Sequence, residues 1–162
     1  MIATHLHADH YDYYDAFDRA RFVVSRREYE GAGGLAGLAP DVRKALEANP
    51  AALQLVDDGC IVPGVRVFPL GCHTAGSLGV LVQTHMGPVV LAGDVVYKYA
   101  NIEQDRPTRS PDPAACRAAM AKIRSLADIV LPAHDPLTLK RWPGGIIGGR
   151  PDDARVVAGH SK

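Results

Sequence analysis

One short segment near the start of this 162-residue chain constrains its fold more than any other feature. Residues 5–10 read HLHADH, so three imidazoles and a carboxylate stand within six positions. In an extended segment the side chains of His5 and His7 share one side and can converge on one metal ion. A turn after this pair presents Asp9 and His10 to a neighbouring position. The segment therefore predicts two metal positions side by side.

Three further candidate ligands follow predicted strands elsewhere in the chain. His73 stands in a glycine-containing connection between two strands, where the backbone can approach a site closely. Asp94 follows the buried run 89–93, and His134 follows the run 129–132. Together with the first four residues they make seven nitrogen and oxygen ligands. That number and type suit two divalent metal ions that share a carboxylate.

Apolar and β-branched runs separated by glycine and proline predict a mixed α/β fold. Strands are expected at 2–4, 21–25, 53–56, 65–70, 78–84, 88–92 and 128–131. Helices are expected at 12–17, 26–29 and 40–48, with another that begins at Asp112. That last helix has an aspartate N-cap, a proline at its first position and one apolar stripe. The stripe consists of Cys116, Ala119, Met120, Ile123 and Ala127.

Charge and hydropathy limit the classes of partner. Lys and Arg together number 18, as do Asp and Glu, and a formal charge of zero is untypical of proteins that bind nucleic acid through phosphates. The uncharged stretch 67–93 is long enough to cross a bilayer, but glycine, histidine and proline interrupt it. It therefore predicts two buried strands. We expect a small-molecule partner, and neither nucleic acid nor a membrane.

The cysteines are few and irregularly placed. Cys60, Cys72 and Cys116 are an odd number without regular spacing, which indicates neither a disulfide framework nor a zinc site made of cysteines. Cys72 is expected to be a small buried thiol. The first residues show no basic region followed by an apolar one, as a secretory signal has. These observations predict location in the reducing cytoplasm.

Four motifs in sequence order resemble the metallo-β-lactamase fold hydrolases over almost the whole chain. They are HLHADH at 5–10, His73 within GCHTAG, the pair Gly93-Asp94, and His134. The resemblance implies an αββα sandwich of the α/β class and two zinc ions as cofactors. The oxygen-reducing di-iron branch of this superfamily has glutamate where this chain has His7, which favours a zinc hydrolase.

The same resemblance implies how the ligands divide between the metals. His5, His7 and His73 would bind the first zinc, while Asp9, His10 and His134 would bind the second. Asp94 would bridge the two. The expected chemistry is the opening of a lactone or ester bond by a metal-bound hydroxide.

A second motif narrows the resemblance to one group. Residues 94–97, DVVY, look like the Asp-x-x-Tyr of N-acyl homoserine lactonases, and the strand at 20–24 is also similar. In that group the tyrosine lies beside the bridging carboxylate and hydrogen-bonds an oxygen of the substrate. The resemblance thus implies this role for Tyr97, and the expected catalytic residues are Asp9, Asp94 and Tyr97.

Two other functions stay open at this stage. Thioester hydrolases of the glyoxalase II type have the same ligands. A non-catalytic remnant is the other reading, because the family has several strands before its first ligand motif, whereas here that motif begins at residue 5. The expected fold is therefore an N-terminally truncated sandwich, with a partial metal-binding domain at 1–142 and a loop or disordered tail at 143–162. Either the true start lies upstream of Met1, or the chain is a remnant that pairs with another chain, as in a homodimer.

Overall fold

The predicted strands form two sheets. The computed structural model describes residues 1–17 and 19–142, and the expected tail at 143–162 lies outside this range. A parallel pair joins β1 (Phe22–Val24) to β2 (Leu53–Leu55). A second sheet has, in spatial order, β3 (Gly59–Val62), β4 (Val65–Pro69), β5 (Leu78–Thr84), β6 (Gly87–Leu91) and β7 (Ile129–Leu131). Its neighbours are antiparallel except for the parallel pair β6 and β7.

Helices and short turns connect these strands. The described residues form the helices α1 (Arg26–Gly31), α2 (Pro40–Ala48), α3 (Tyr99–Glu103), α4 (Pro113–Leu126) and α5 (Leu137–Arg141). Turns of 3₁₀ helix lie at Ala8–His10, Tyr14–Ala16, Gly34–Gly37, Pro50–Ala52 and Gly93–Val96. The side chain of Asp112 caps α4 by accepting a hydrogen bond from the Ala115 backbone N–H at 2.9 Å. The sequence therefore predicts the start of this helix correctly.

Alternation of side chains along β4 separates two layers of the core. Val67 packs in a cluster with Leu78 and with Ile2, whose segment is bridged to β1. The next residue, Phe68, lies in a different cluster with Met120 of α4. Successive side chains of a strand point to opposite faces, so the large sheet contacts the small sheet on one face and α4 on the other.

A third cluster covers the outer face of the small sheet. Phe22 and Val24 of β1 pack with Val42 and Leu46 of α2, and all four are buried. The layers therefore run from α2 through the small sheet and the large sheet to α4. This order confirms the α/β class and the αββα arrangement that the sequence resemblance implies.

Most of the other predictions also agree with the structure. The expected strands at 21–25, 53–56, 65–70, 78–84, 88–92 and 128–131 are present within two residues at each end. The expected strand at 2–4 is only an isolated bridge of Ile2 to Val23. The expected helix at 12–17 is only a 3₁₀ turn, and strand β3 and helices α3 and α5 were not predicted. These elements are three to five residues long, too short for periodicity to show. Among the described residues, no helix is long and apolar enough to cross a membrane.

The prediction about the cysteines is wrong for two of the three. Cys72 and Cys116 form a disulfide, with their Cα atoms 5.0 Å apart and 44 positions between them in sequence. Cys60 is exposed and free. The bond ties the loop after β4 to the buried face of α4, so Cys72 is not a thiol. The expectation of a reducing compartment loses the support that unpaired cysteines gave it.

Loss of this disulfide is expected to lower the free energy of unfolding by about 2–4 kcal/mol, because the bond closes a long loop and restricts the unfolded chain. Urea unfolding of metal-free Cys116→Ser and of the unchanged chain, each with and without dithiothreitol, measures the effect. Cys60→Ser is the matched control and should unfold like the unchanged chain. Equal midpoints with and without reductant in the unchanged chain would contradict a stabilising bond.

Candidate metal centre

The histidine-rich segment forms one wall of the centre. Its start is held in place because the Leu78 backbone N–H donates to the Thr4 carbonyl at 2.8 Å. His5 Nε2 and His7 Nδ1 lie 3.0 Å apart, so these two side chains converge as the extended spacing predicts. The chain then makes a 3₁₀ turn over Ala8–His10, which directs Asp9 and His10 to the neighbouring position.

A first group of four ligands collects around this pair. The ligand atoms of His5, His7, His73 and Asp94 all lie within 4.8 Å of one another. His73 Nε2 is 3.1 Å from His7 Nδ1. Two nitrogens bound to one tetrahedral zinc lie roughly 3.3 Å apart, given zinc–nitrogen bonds of about 2.0–2.1 Å. The spacing of these imidazoles therefore suits a common metal ion.

A second group lies directly beside the first. It consists of Asp9, His10 and His134, whose ligand atoms are also within 4.8 Å of one another. The two imidazole Nε2 atoms are 3.3 Å apart. Asp9 Oδ2 is 3.5 Å from His10 Nε2 and 3.4 Å from His134 Nε2. The structure thus brings together all seven of the side chains that the sequence singles out.

Asp94 lies between the two groups. Its Oδ2 is 3.6 Å from His73 Nε2, while its Oδ1 is 3.1 Å from His134 Nε2 and 3.2 Å from His10 Nε2. The carboxylate is buried, and Oδ1 has no hydrogen-bond partner among the described residues. A buried carboxylate oxygen without a donor is costly unless a cation compensates its charge. The residues present therefore fit a pair of divalent metal ions that share this carboxylate.

Burial keeps imidazoles of the centre uncharged. Desolvation, followed by repulsion from the neighbouring histidines, lowers the pKa of His5 to about 3. Desolvation also lowers the pKa of His73, although the Asp94 carboxylate opposes the shift. A neutral imidazole has the free lone pair that metal binding needs. These two side chains are thus ready to bind a cation at neutral pH.

Tyr97 lies at the open side of the second group. Its ring is 4.4 Å from that of His134, and the backbone of the two residues is joined by a hydrogen bond of 3.0 Å from the His134 N–H to the Tyr97 carbonyl. The tyrosine side chain is 39% exposed, in contrast to the buried Asp94 three residues before it. Tyr97 is therefore partly open to solvent beside the candidate ligand His134.

Glu28 is the residue that sequence reasoning missed. Its side chain is buried and accepts hydrogen bonds from the Leu6 N–H at 3.1 Å, the Thr74 hydroxyl at 2.8 Å and the Gly76 N–H at 3.0 Å. It thereby joins the segment that carries His5 and His7 to the loop that carries His73. No local pattern marks this position, because the contacts span 22 to 48 residues of sequence.

Thr74 and Asp135, which stand next to the candidate ligands His73 and His134, hydrogen-bond to other parts of the chain. Thr74 donates to Glu28, as described above, and Asp135 accepts from the Tyr99 N–H at 2.8 Å and the Leu137 N–H at 2.9 Å. These backbone hydrogen bonds lower the pKa of Asp135. Both side chains therefore fix the loops that hold His73 and His134, and neither bonds directly to an imidazole.

The chain belongs to the metallo-beta-lactamase superfamily, whose family model matches residues 1–137. An N-acyl homoserine lactonase of a Bacillus species is 30% identical over 132 residues, which cover 81% of this chain and 50% of that protein. Metallo-beta-lactamase domain-containing protein 1 of Xenopus laevis is 28% identical over 141 residues, which cover 84% and 53%.

The fold is likewise similar to solved structures. One is an N-acyl homoserine lactone hydrolase with the product N-hexanoyl-L-homoserine at its catalytic metal centre; it has a TM-score of 0.69 and 25% sequence identity. That alignment covers 86% of this chain and 57% of the other. This chain spans about half the length of the curated relatives it matches.

Glu28→Gln is expected to loosen the centre, since an amide supplies one acceptor oxygen where the carboxylate supplies two. The free energy of unfolding should fall by about 1–3 kcal/mol. Zinc affinity, measured by competition with a chelator, should fall by about 10- to 100-fold. Glu30→Gln is the matched control, because Glu30 is an exposed residue of the same helix. An unchanged zinc affinity in Glu28→Gln would show that Glu28 does not position the ligands.

Proposed function

We propose that this chain holds two zinc ions and hydrolyses the ester bond of a lactone, with N-acyl homoserine lactones as the substrate class. The single observation that carries the proposal is the position of Asp94, which directs one oxygen towards His73 and the other towards His10 and His134. The substrate class is supported by the relatives named N-acyl homoserine lactonase.

The proposed ligands follow the two groups of side chains. His5, His7 and His73 would hold one zinc, Asp9, His10 and His134 would hold the other, and Asp94 would contact both. When bound, a pair of zinc ions lowers the pKa of water and polarises a carbonyl, which supplies a nucleophile and an electrophile at neutral pH.

The chain's own side chains would then orient the substrate. Tyr97 is partly exposed and lines the same cavity as Asp94 and His73, so its hydroxyl would be able to donate a hydrogen bond to the carbonyl oxygen as negative charge develops there. Asp9 is 60% exposed, whereas Asp94 is 7% exposed. The proposed site is therefore open to water at Asp9 and closed to it at Asp94.

Two further expectations remain predictions that the same sample can test. A glyoxalase II-like thioester hydrolase would use the same ligands, so a lactone and a thioester assayed side by side distinguish the two activities. A homodimer is tested by light scattering. Location in the cytoplasm also stays a prediction.

Metal content is expected to be about two zinc ions per chain, accompanied by lactone hydrolysis. Plasma mass spectrometry measures the zinc, and a pH indicator follows the acid released from N-hexanoyl homoserine lactone. His7→Ala should lower zinc to about one per chain and abolish turnover. His85→Ala is the control, because that exposed histidine lies outside both ligand groups. A folded chain that binds no zinc would refute the proposal.

Tyr97→Phe should lower kcat by about 100-fold at unchanged zinc content, because it removes one hydrogen-bond donor to the developing oxyanion. Steady-state kinetics with the same lactone gives the value. Tyr13→Phe is a suitable control, since Tyr13 is an exposed tyrosine that does not belong to either ligand group. Equal kcat values for Tyr97→Phe and the unchanged chain would remove Tyr97 from the catalytic machinery.

A further inference from the structure

A cavity with a volume of about 440 Å³ adjoins the metal centre. The candidate ligands Asp94 and His73 line the cavity, together with Tyr97. Most of the remaining lining residues belong to α3 and to the segment 106–109 that follows it. A volume in this range suits a small organic ligand. A substrate whose carbonyl lies at the ligands would therefore extend its remaining part into this cavity.

The lining of the cavity is rich in positive charge. Lys98, Arg106 and Arg109 all contribute to it, and the only carboxylate among the lining residues is Asp94. In the proposed function, Asp94 contacts the two metal ions. No described carboxylate lies within ion-pair distance, 4.0 Å, of the three cationic side chains. Arg106 and Arg109 therefore have no ion-pair partner among the described residues, whereas the positive charge of Lys98 also acts on the Asp135 carboxylate.

Other arginines in this region have acidic partners. Arg117 and Arg124 both pair with Asp105 at 3.3 Å, and Arg141 pairs with Glu103. Asp105 and Glu103 lie within a few residues of Arg106, yet both are directed to arginines that do not line this cavity. The acidic residues nearest in sequence to Arg106 thus leave Arg106 and Arg109 without an ion pair.

The backbone that carries the two arginines is held firmly. Arg106 is fixed on both sides by Asn101, whose carbonyl accepts from the Arg106 N–H at 2.9 Å and whose side-chain amide donates to the Arg106 carbonyl at 2.8 Å. Ser110, next to Arg109, donates to the Cys72 carbonyl at 2.9 Å. These hydrogen bonds hold the backbone of the segment against the loop of His73. The side chains of Arg106 and Arg109 therefore branch from fixed positions beside the cavity.

We propose, resting on the proposed hydrolysis, that this cavity selects substrates with a carboxylate in the part distant from the scissile bond. Arg106 and Arg109 are the specificity-determining residues, and Lys98 adds positive charge. A guanidinium binds a carboxylate through two parallel hydrogen bonds, which an uncharged group of equal size cannot replace. The expected substrates are therefore lactones or esters whose acyl chain ends in a carboxylate.

Two lactones of nearly equal shape test this selectivity. N-succinyl homoserine lactone ends in a carboxylate, and N-(4-methylpentanoyl) homoserine lactone has two methyl groups in place of its two oxygens. The zinc-loaded chain should have a kcat/KM about tenfold higher for the anionic lactone, and the preference should shrink as salt is added. The double variant R106Q/R109Q should lose the preference, while R106K/R109K, which keeps the charge but cannot form the two parallel hydrogen bonds, should retain only part of it. Arg117→Gln, outside the cavity, should behave like the unchanged chain.

A binding measurement separates this inference from the proposed hydrolysis. Calorimetry with N-succinylglycine and N-(4-methylpentanoyl)glycine, which carry the same two acyl groups and lack a lactone ring, needs no turnover. Tighter binding of the succinyl compound that R106Q/R109Q abolishes supports the cationic cavity even if neither lactone is hydrolysed, an outcome that refutes only the proposed function. Hydrolysis of both lactones at equal kcat/KM, with no difference in binding of the two glycines, overturns the inference and leaves the proposed function intact.

Discussion

The buried carboxylate of Asp94 is surrounded by imidazoles from three other segments, and the fold has to hold these groups together although Asp94 and His5 are removed from water. Asp94 stays in place because the 3₁₀ turn that carries it also supplies Val95 and Val96 to the core beneath α4. His134 follows the parallel strand β7, next to the strand that leads into that turn. The two sheets and α4 therefore serve mainly to bring the ends of strands to one place.

Contacts around the ligands show how this arrangement is kept rigid. Glu28 spans the gap between the His5–His10 segment and the His73 loop, and Ser25 caps the helix that carries it by accepting from the Glu28 N–H at 3.2 Å. The disulfide of Cys72 fixes the other side of the same loop to α4. A metal centre needs this support, because ligands that move independently bind a cation more weakly.

The cationic cavity and the metal centre share one wall and divide the proposed work between them. The ligands and Tyr97 would act on the carbonyl, which lactones and esters have in common. Arg106 and Arg109 would bind the part of the substrate that is distant from the scissile bond. Such a division is possible because the function of a protein depends on the site and its surroundings and not on the fold alone.

The sequence by itself determined the class of fold, the main strands in their order along the chain, the start of α4 and the seven candidate metal ligands that the structure brings together. It could do so because these features are local: apolar periodicity, a cap followed by proline, and histidines spaced two residues apart or placed after strands. Only the tertiary structure decided the roles of Glu28, the Cys72–Cys116 bond and the unpaired arginines of the cavity. Glu28 contacts Gly76, which is 48 residues away, and the two cysteines are 44 residues apart. Asp105, next to Arg106 in sequence, pairs with Arg117 instead. Such partners are chosen by the packing of the layers, which no local pattern of residues records.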